Sequence, residues 1–200
     1  MKIVEWKQAD KKLSELLPKE IALCIGLPFL VAFICIAIAN VFVSEIKIAS
    51  SIGEAVYIKE NSGRIPLIFL FFPFSFFLLA SIQRLINFCP KLATEYFIKG
   101  AALMLPLFFL GIFIANFYVE HKLKQAGYNH CYWYTGASFR APDVWLKNDS
   151  LCLQSGSLMQ SDIANFFEPF NQQGTEPSLE ELETFISETK QAREDYINGR

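Results

Sequence analysis

Three stretches of this 200-residue chain contain no Asp, Glu, Lys, Arg or His: Ile21 to Val43, Ile65 to Ile82 and Ala101 to Val119. A water-soluble fold does not leave such runs uncharged, whereas a hydrocarbon core requires about 20 consecutive apolar residues to span it. The same absence argues against transport or proton relay, which rely on ionisable groups held inside the membrane. Asn40, Ser75, Ser81 and Asn116 are the intramembrane polar residues, and three helices are too few to enclose a conduit unless the chain oligomerises. Charge of one sign is also lacking: the formal net charge is -2, without the basic surface that nucleic-acid binding needs. The chain has only two histidines, His121 and His130, and no Cys-x-x-Cys, so neither a zinc site nor a redox pair is expected. It has no Gly-x-x-x-x-Gly-Lys loop, Gly-x-Gly-x-x-Gly turn, His-Glu-x-x-His helix or Gly-x-Ser-x-Gly elbow. Nor does closeness in sequence make a triad of Ser138 or Ser150 with His130 and Asp143. No enzyme activity, metal or cofactor is expected.

Apolar residues make up 52% of the chain, and its 20 phenylalanines concentrate in the uncharged runs. The fold class expected is therefore a mainly α membrane protein: three transmembrane helices, then a small α+β exported C-terminal domain braced by a disulfide. Its parts are an amphipathic leader (1–20), a three-span membrane domain (21–119) and an exported tail (120–200). The first span follows a charged leader, exceeds the length of a signal-peptide core and lacks a clear cleavage site, so it is expected to be retained.

Lys and Arg close to a membrane favour the cytoplasmic side. With the N-terminus inside, Lys2, Lys7, Lys11, Lys12, Lys19, Arg84, Lys91 and Lys99 are cytoplasmic, against Lys47, Lys59, Arg64, Lys122 and Lys124 outside. This eight-to-five bias assigns the tail to the exported side, provided that the second span, interrupted by Pro66 and Pro73, inserts. In the leader, Ile3, Trp6, Ala9, Leu13, Leu16 and Leu17 share one helical arc opposite Lys7, Lys11, Lys12 and Lys19. That pattern predicts an interfacial helix, ended by Pro18, with its lysines near anionic headgroups of the lipid bilayer. Small residues mark helix-packing faces at Gly111 with Ala115 and at Cys35 with Ala39, open to the chain's own spans or to a partner helix.

Of the five cysteines, Cys24 and Cys35 lie in the first span and Cys89 in a cytoplasmic loop, leaving Cys131 and Cys152 as the exported pair. In an oxidising compartment these two are expected to bond to each other. Around them, His130 to Tyr134 and Val144 to Lys147 read as short strands. The aromatic run of Tyr128, Tyr132, Trp133, Tyr134, Phe139 and Trp145 fits a mini-core around the disulfide, an interfacial belt or a protein-binding patch. Further on, Asp162 to Phe170 reads as a short helix, and Ser178-x-x-Glu181 as the capping box of another. That last helix carries an apolar stripe of Leu179, Leu182, Phe185, Ile186, Tyr196 and Ile197 and an acidic face of Glu180, Glu181, Glu183, Glu188 and Glu194. Residues 120 to 200 hold seven basic and twelve acidic groups, a net of -5. For binding a protein partner the candidates are Arg140, Trp145, Glu180, Glu183 and Glu188.

Gly127-Tyr128-x-x-Cys131, with Ser138, Pro142 and a hydrophobic-Lys-Asn-x-x-Leu-Cys string ending at Cys152, resembles a group of uncharacterised small inner-membrane proteins of enteric bacteria. These have three or four spans and a short exported end with two cysteines, and some resemble immunity proteins for neighbouring antibacterial toxins. The resemblance implies a bacterial inner-membrane location and protection against a toxin, and supplies no catalytic residue. The functional expectation is an inner-membrane immunity protein that neutralises a protein toxin at the membrane or in the periplasm. Its rival is a non-catalytic accessory subunit of a larger membrane complex.

Overall fold

The computed structural model describes residues 7–9, 12–136, 138, 141–157 and 160–199. Helix α1 spans Pro18–Ser50 and strand β1 Tyr57–Glu60; a 3-10 segment, Ser62–Leu67, then leads into α2, Ile68–Leu85. Helix α3 covers Lys91–Gln125, followed by β2 (Asn129–His130), β3 (Asp143–Leu146), α4 (Gln160–Gln173) and α5 (Leu179–Ile197). Pro18–Ser50, Ser62–Leu85 and Lys91–Gln125 are each long and apolar enough to cross a membrane. They contain the three uncharged runs and extend beyond them. Contacts divide the chain into two compact units, Met1–Ser44 with Gly63–Ala115 and Glu45–Ser62 with Asn116–Arg200.

In the first unit, Pro28, Val31, Cys35 and Ile38 recur at helical spacing and are buried, while Leu23, Phe29, Phe33 and Ile36 are exposed. An apolar exposed face of this kind needs hydrocarbon around it. Pro28, Pro73 and Pro106 sit inside α1, α2 and α3 without ending them, which spanning helices tolerate when neighbours satisfy the freed carbonyls.

The described part of the leader is not an interfacial helix. Gln8 instead forms an antiparallel bridge to Phe88, with Ala9 N–H donating to Asn87 O at 2.9 Å and Cys89 N–H to Lys7 O at 2.8 Å. Among the described residues, one 3-10 turn, Leu13–Glu15, precedes α1, and Pro18 starts that helix rather than ending one. The cause is the turn after α2: Asn87 adopts a positive φ of 62°, and its side-chain Oδ1 accepts from Leu13 N–H at 2.6 Å. A short helix in water is marginal, so ready-made backbone partners outweigh the leader's periodicity.

The second unit is built on a three-stranded antiparallel sheet of order β1-β3-β2. Its edge strand β1 comes from the link between the first two spans, so residues 45–62 fold together with the tail. Asn171 of α4 satisfies the outer edge of β1: its Oδ1 accepts from Val56 and Tyr57 N–H at 2.8 and 3.0 Å, and its Nδ2 donates to Tyr57 O at 2.7 Å. Beneath the sheet, Tyr57 stacks on Phe167 with centroids 5.0 Å apart, and Leu146, Leu151, Ile163, Leu182 and Ile186 complete the core.

The Cys131–Cys152 disulfide joins this core, and Cys24, Cys35 and Cys89 are free. Tyr134 is buried beside it, donating its hydroxyl to Leu151 O at 2.8 Å and accepting from Leu153 N–H at 3.1 Å. The capping box forms as the sequence predicts: Glu181 N–H donates to Ser178 Oγ at 3.2 Å and Ser178 N–H to Glu181 Oε2 at 2.7 Å. The apolar stripe of α5 is only partly used. Leu182 and Ile186 are buried, but Leu179, Tyr196 and Ile197 are exposed. Arg193 pairs with Asp162 in the first turn of α4, so Tyr196 and Ile197 lie past the end of that neighbour.

Strand pairing constrains the crossings. Two spans separate β1 from β3, and two separate Lys7–Ala9 from Asn87–Cys89. Each pairing requires its members to share one side of the membrane, so both fit a chain that crosses three times and neither fits one in which the second span fails to insert.

Candidate functional site

Strands β1, β2 and β3 and the C-terminal part of α3 surround a polar cavity of about 420 Å³, lined by Glu60, Asn116, Glu120, Lys124, His130, Asp143 and Trp145. The sheet register sets Glu60 directly opposite Asp143, an arrangement of like charges that costs stability unless something offsets it. Glu60 is only 7% exposed, and its carboxylate accepts from Ser62 N–H at 2.6 Å. Burial pushes its pKa up; the Ser62 hydrogen bonds oppose the shift, and the charges of Asp143 and Glu120 add to it. Ser62 in turn donates its hydroxyl to Asn116 Oδ1 at 3.0 Å. Glu120 is paired with Lys124 one helical turn on, at 2.7 Å on an exposed face.

His130 lies at the rim, with its Nε2 3.4 Å from Asp143 Oδ1 and 3.3 Å from Thr135 Oγ1. Both contacts fall on one ring nitrogen, whereas a relay needs the hydroxyl on one nitrogen and the carboxylate on the other. Thr135 Oγ1 also accepts from Val144 N–H and donates to Cys131 O, which ties it to the backbone. Among the described residues, no group of three His, Cys, Asp or Glu side chains is placed to hold a metal ion. The cavity is thus an acidic recess suited to polar or cationic contact.

Trp145 stands in the middle of β3, paired with Ile58 and His130, and is 4% exposed. Its indole Nε1 is buried with no hydrogen-bond partner among the described residues, and its ring meets His130 edge-on at 5.3 Å. Its strand neighbours Val144 and Leu146 join the core around the disulfide, so Trp145 faces the other side of the sheet, as a wall of the recess rather than a protruding anchor. Arg140 lies outside the described residues. Glu180, Glu183 and Glu188 are exposed on α5, where Glu180, Glu181 and Glu188 border a shallow depression with Ser178, Thr184 and Phe185.

The structure therefore does not gather the described partner-binding candidates into one place. Trp145 belongs to the sheet, and the glutamates belong to the outer face of a helix. In the first unit, Gly111 lies so close to Pro66 that an added Cβ would stand 2.9 Å from the proline Cβ, with Phe69 also in contact. Cys35 is buried there, and Ala39 and Ala115 are half-buried.

Sequence reasoning missed Glu60 and the pairing that brings His130, Asp143 and Trp145 around it. The signal was Val56-Tyr57-Ile58, a β-branched and aromatic run shortly after Gly53, which reads as a strand once a partner is known.

A family model described as a protein of unknown function (DUF1240) matches residues 56–153. The matched stretch is just under half of the chain and covers all three strands, α2, α3 and both disulfide cysteines. It leaves out α1, α4 and α5. No curated protein and no solved structure matches the chain.

Proposed function

We propose that this chain is a non-enzymatic inner-membrane immunity protein, which holds its disulfide-braced unit in the periplasm to bind a basic surface of an incoming antibacterial toxin. The observation that carries this reading is the acidic face of α5. Glu180, Glu183 and Glu188 are exposed on a helix fixed by its Ser178 capping box and by burial of Leu182 and Ile186. A rigid display of like charge raises the association rate and specificity for a partner of opposite charge. The disulfide favours an oxidising compartment, and the eight-to-five Lys and Arg bias favours a cytoplasmic N-terminus. The competing reading, an accessory subunit of a membrane complex, would use the Gly111 face for a partner helix. That face is already in contact with Pro66 and Phe69 of the same chain.

The test is protection of sensitive cells that carry this gene together with a cognate toxin gene. Charge reversal at Glu180, Glu183 and Glu188 together is expected to lower protection while leaving the amount of protein in the membrane unchanged. It should also make the remaining toxin binding less sensitive to salt. Unaltered protection by the triple variant would remove α5 as the recognition surface. A growth defect of the gene deletion without any toxin would favour the accessory-subunit reading.

A further inference from the structure

We infer that the turn after β2 is a membrane-interface anchor, which seats Tyr132 and Trp133 in the headgroup region of the bilayer beside the ends of the second and third spans. The two rings meet edge to face at 5.8 Å and are 74% and 38% exposed, although Cys131 and Tyr134 on either side of them are buried. Their flanking residues hold them there. Cys131 is fully buried in the disulfide and Tyr134 is locked into the core by its hydroxyl, while Tyr134 and Thr135 N–H both bond back to Cys131 O. The exposed pair is therefore a fixed feature of the fold.

The level of the turn follows from register within the second unit. After α3 the chain reverses at Gly127, where φ is +85°, and β2 runs back along the helix, so that His130 lines the same recess as Asn116 and Glu120. Asn116 and Glu120 straddle the end of the uncharged run Ala101 to Val119. Ser62, the first residue of the second candidate span, bonds to Asn116, and Glu60 just before it pairs across the sheet with Asp143. The end of the sheet from which Tyr132 and Trp133 emerge is thus the end that leads into the membrane. Tyr and Trp are the side chains enriched at this depth, because an apolar ring and a polar tip suit the boundary between hydrocarbon and water. Continuity with the boundary already marked by Ser62 and Asn116 selects the bilayer over a protein as the occupant. The inference is independent of the proposed function and holds for either orientation of the chain.

The experiment uses the full chain in phosphatidylcholine nanodiscs. The sequence has three tryptophans, Trp6, Trp133 and Trp145. Trp6→Phe removes the first, and Trp145 is buried, so aqueous quenching in that variant reports Trp133. Subtracting the emission of a Trp6→Phe/Trp133→Phe double variant isolates Trp133 for lipid quenching. The expected result is loss of most Trp133 emission in nanodiscs of acyl-brominated phosphatidylcholine, together with a several-fold weaker response to acrylamide than free tryptophan shows. Full acrylamide quenching with no response to brominated lipid would overturn the inference, because the pair would then face water. Protection from both quenchers would overturn it as well, because a second copy or another part of the protein would then be the cover. If the double variant does not fold, acrylamide quenching of Trp6→Phe alone still decides whether Trp133 is open to water.

Discussion

At the scale of single residues, Glu60 carries the clearest energetic consequence. A buried carboxyl faced by Asp143 and Glu120 has its folded-state pKa raised, so the unit is favoured while Glu60 is protonated and loses that contribution as it ionises. The sign follows from linkage: the contribution is fully present below the ordinary carboxyl pKa and disappears as pH rises through the raised folded value. Glu60→Gln should therefore increase the urea midpoint near neutral pH and leave it nearly unchanged in acid, where the wild-type carboxyl is already neutral. Paired urea titrations at the two pH values check this; a midpoint that falls near neutrality would show that ionised Glu60 contributes net stabilisation through its contact with Ser62. Trp145 illustrates a limit of reading residues from sequence. Its aromatic neighbours were compatible with a surface patch or a core, and only the β3 pairing, which places it between Ile58 and His130, separates them.

At the scale of elements, local signals were legible and distant ones were not. The spans follow from runs of apolar residues, and the start of α5 follows from Ser178 and Glu181, which are three positions apart. Strand β1 depends on partners 83 to 89 positions away, as in Glu60 with Asp143 and Tyr57 with Leu146, and no short window records that dependence. The leader shows the converse. Its helical periodicity is real in the sequence, yet Asn87 supplies bonds that an isolated helix does not have. The edge of β1 gives an element-scale prediction. Asn171→Ala leaves the N–H groups of Val56 and Tyr57 without their side-chain acceptor, at an expected cost of about 2 kcal/mol. Hydrogen exchange should accelerate at those two amides more than at Leu146 in the neighbouring strand; equal acceleration along both strands would mean that the substitution loosens the whole unit instead.

At the scale of the whole molecule, the candidate site was only partly readable because its walls come from three separate parts of the chain: Glu60 from the link between spans, Asn116 and Glu120 from α3, and Asp143 and Trp145 from the tail. The disulfide was readable because orientation sorted the five cysteines, leaving two on one side. Orientation itself is open to a direct measurement. A reporter that is active only in the periplasm, fused after Arg200, is expected to be active, and the corresponding cytoplasmic reporter silent. The opposite pattern would place the Cys131–Cys152 pair on the reducing side and reverse the proposed location.

The pairing of β1 with β3 also sets an order of assembly. β1 is made before either of the spans that separate it from its partner, so the sheet cannot close until α2 and α3 have both entered the membrane and residues 143–146 have emerged beside it. Until then Val56, Tyr57 and Ile58 present an unpaired apolar edge, the kind of surface on which nascent chains aggregate or are degraded. Asn171, which covers the outer side of that edge, is made later still. Completion of the unit thus reports that every crossing has been made, and a chain arrested after its second span remains marked as unfinished by its own first strand.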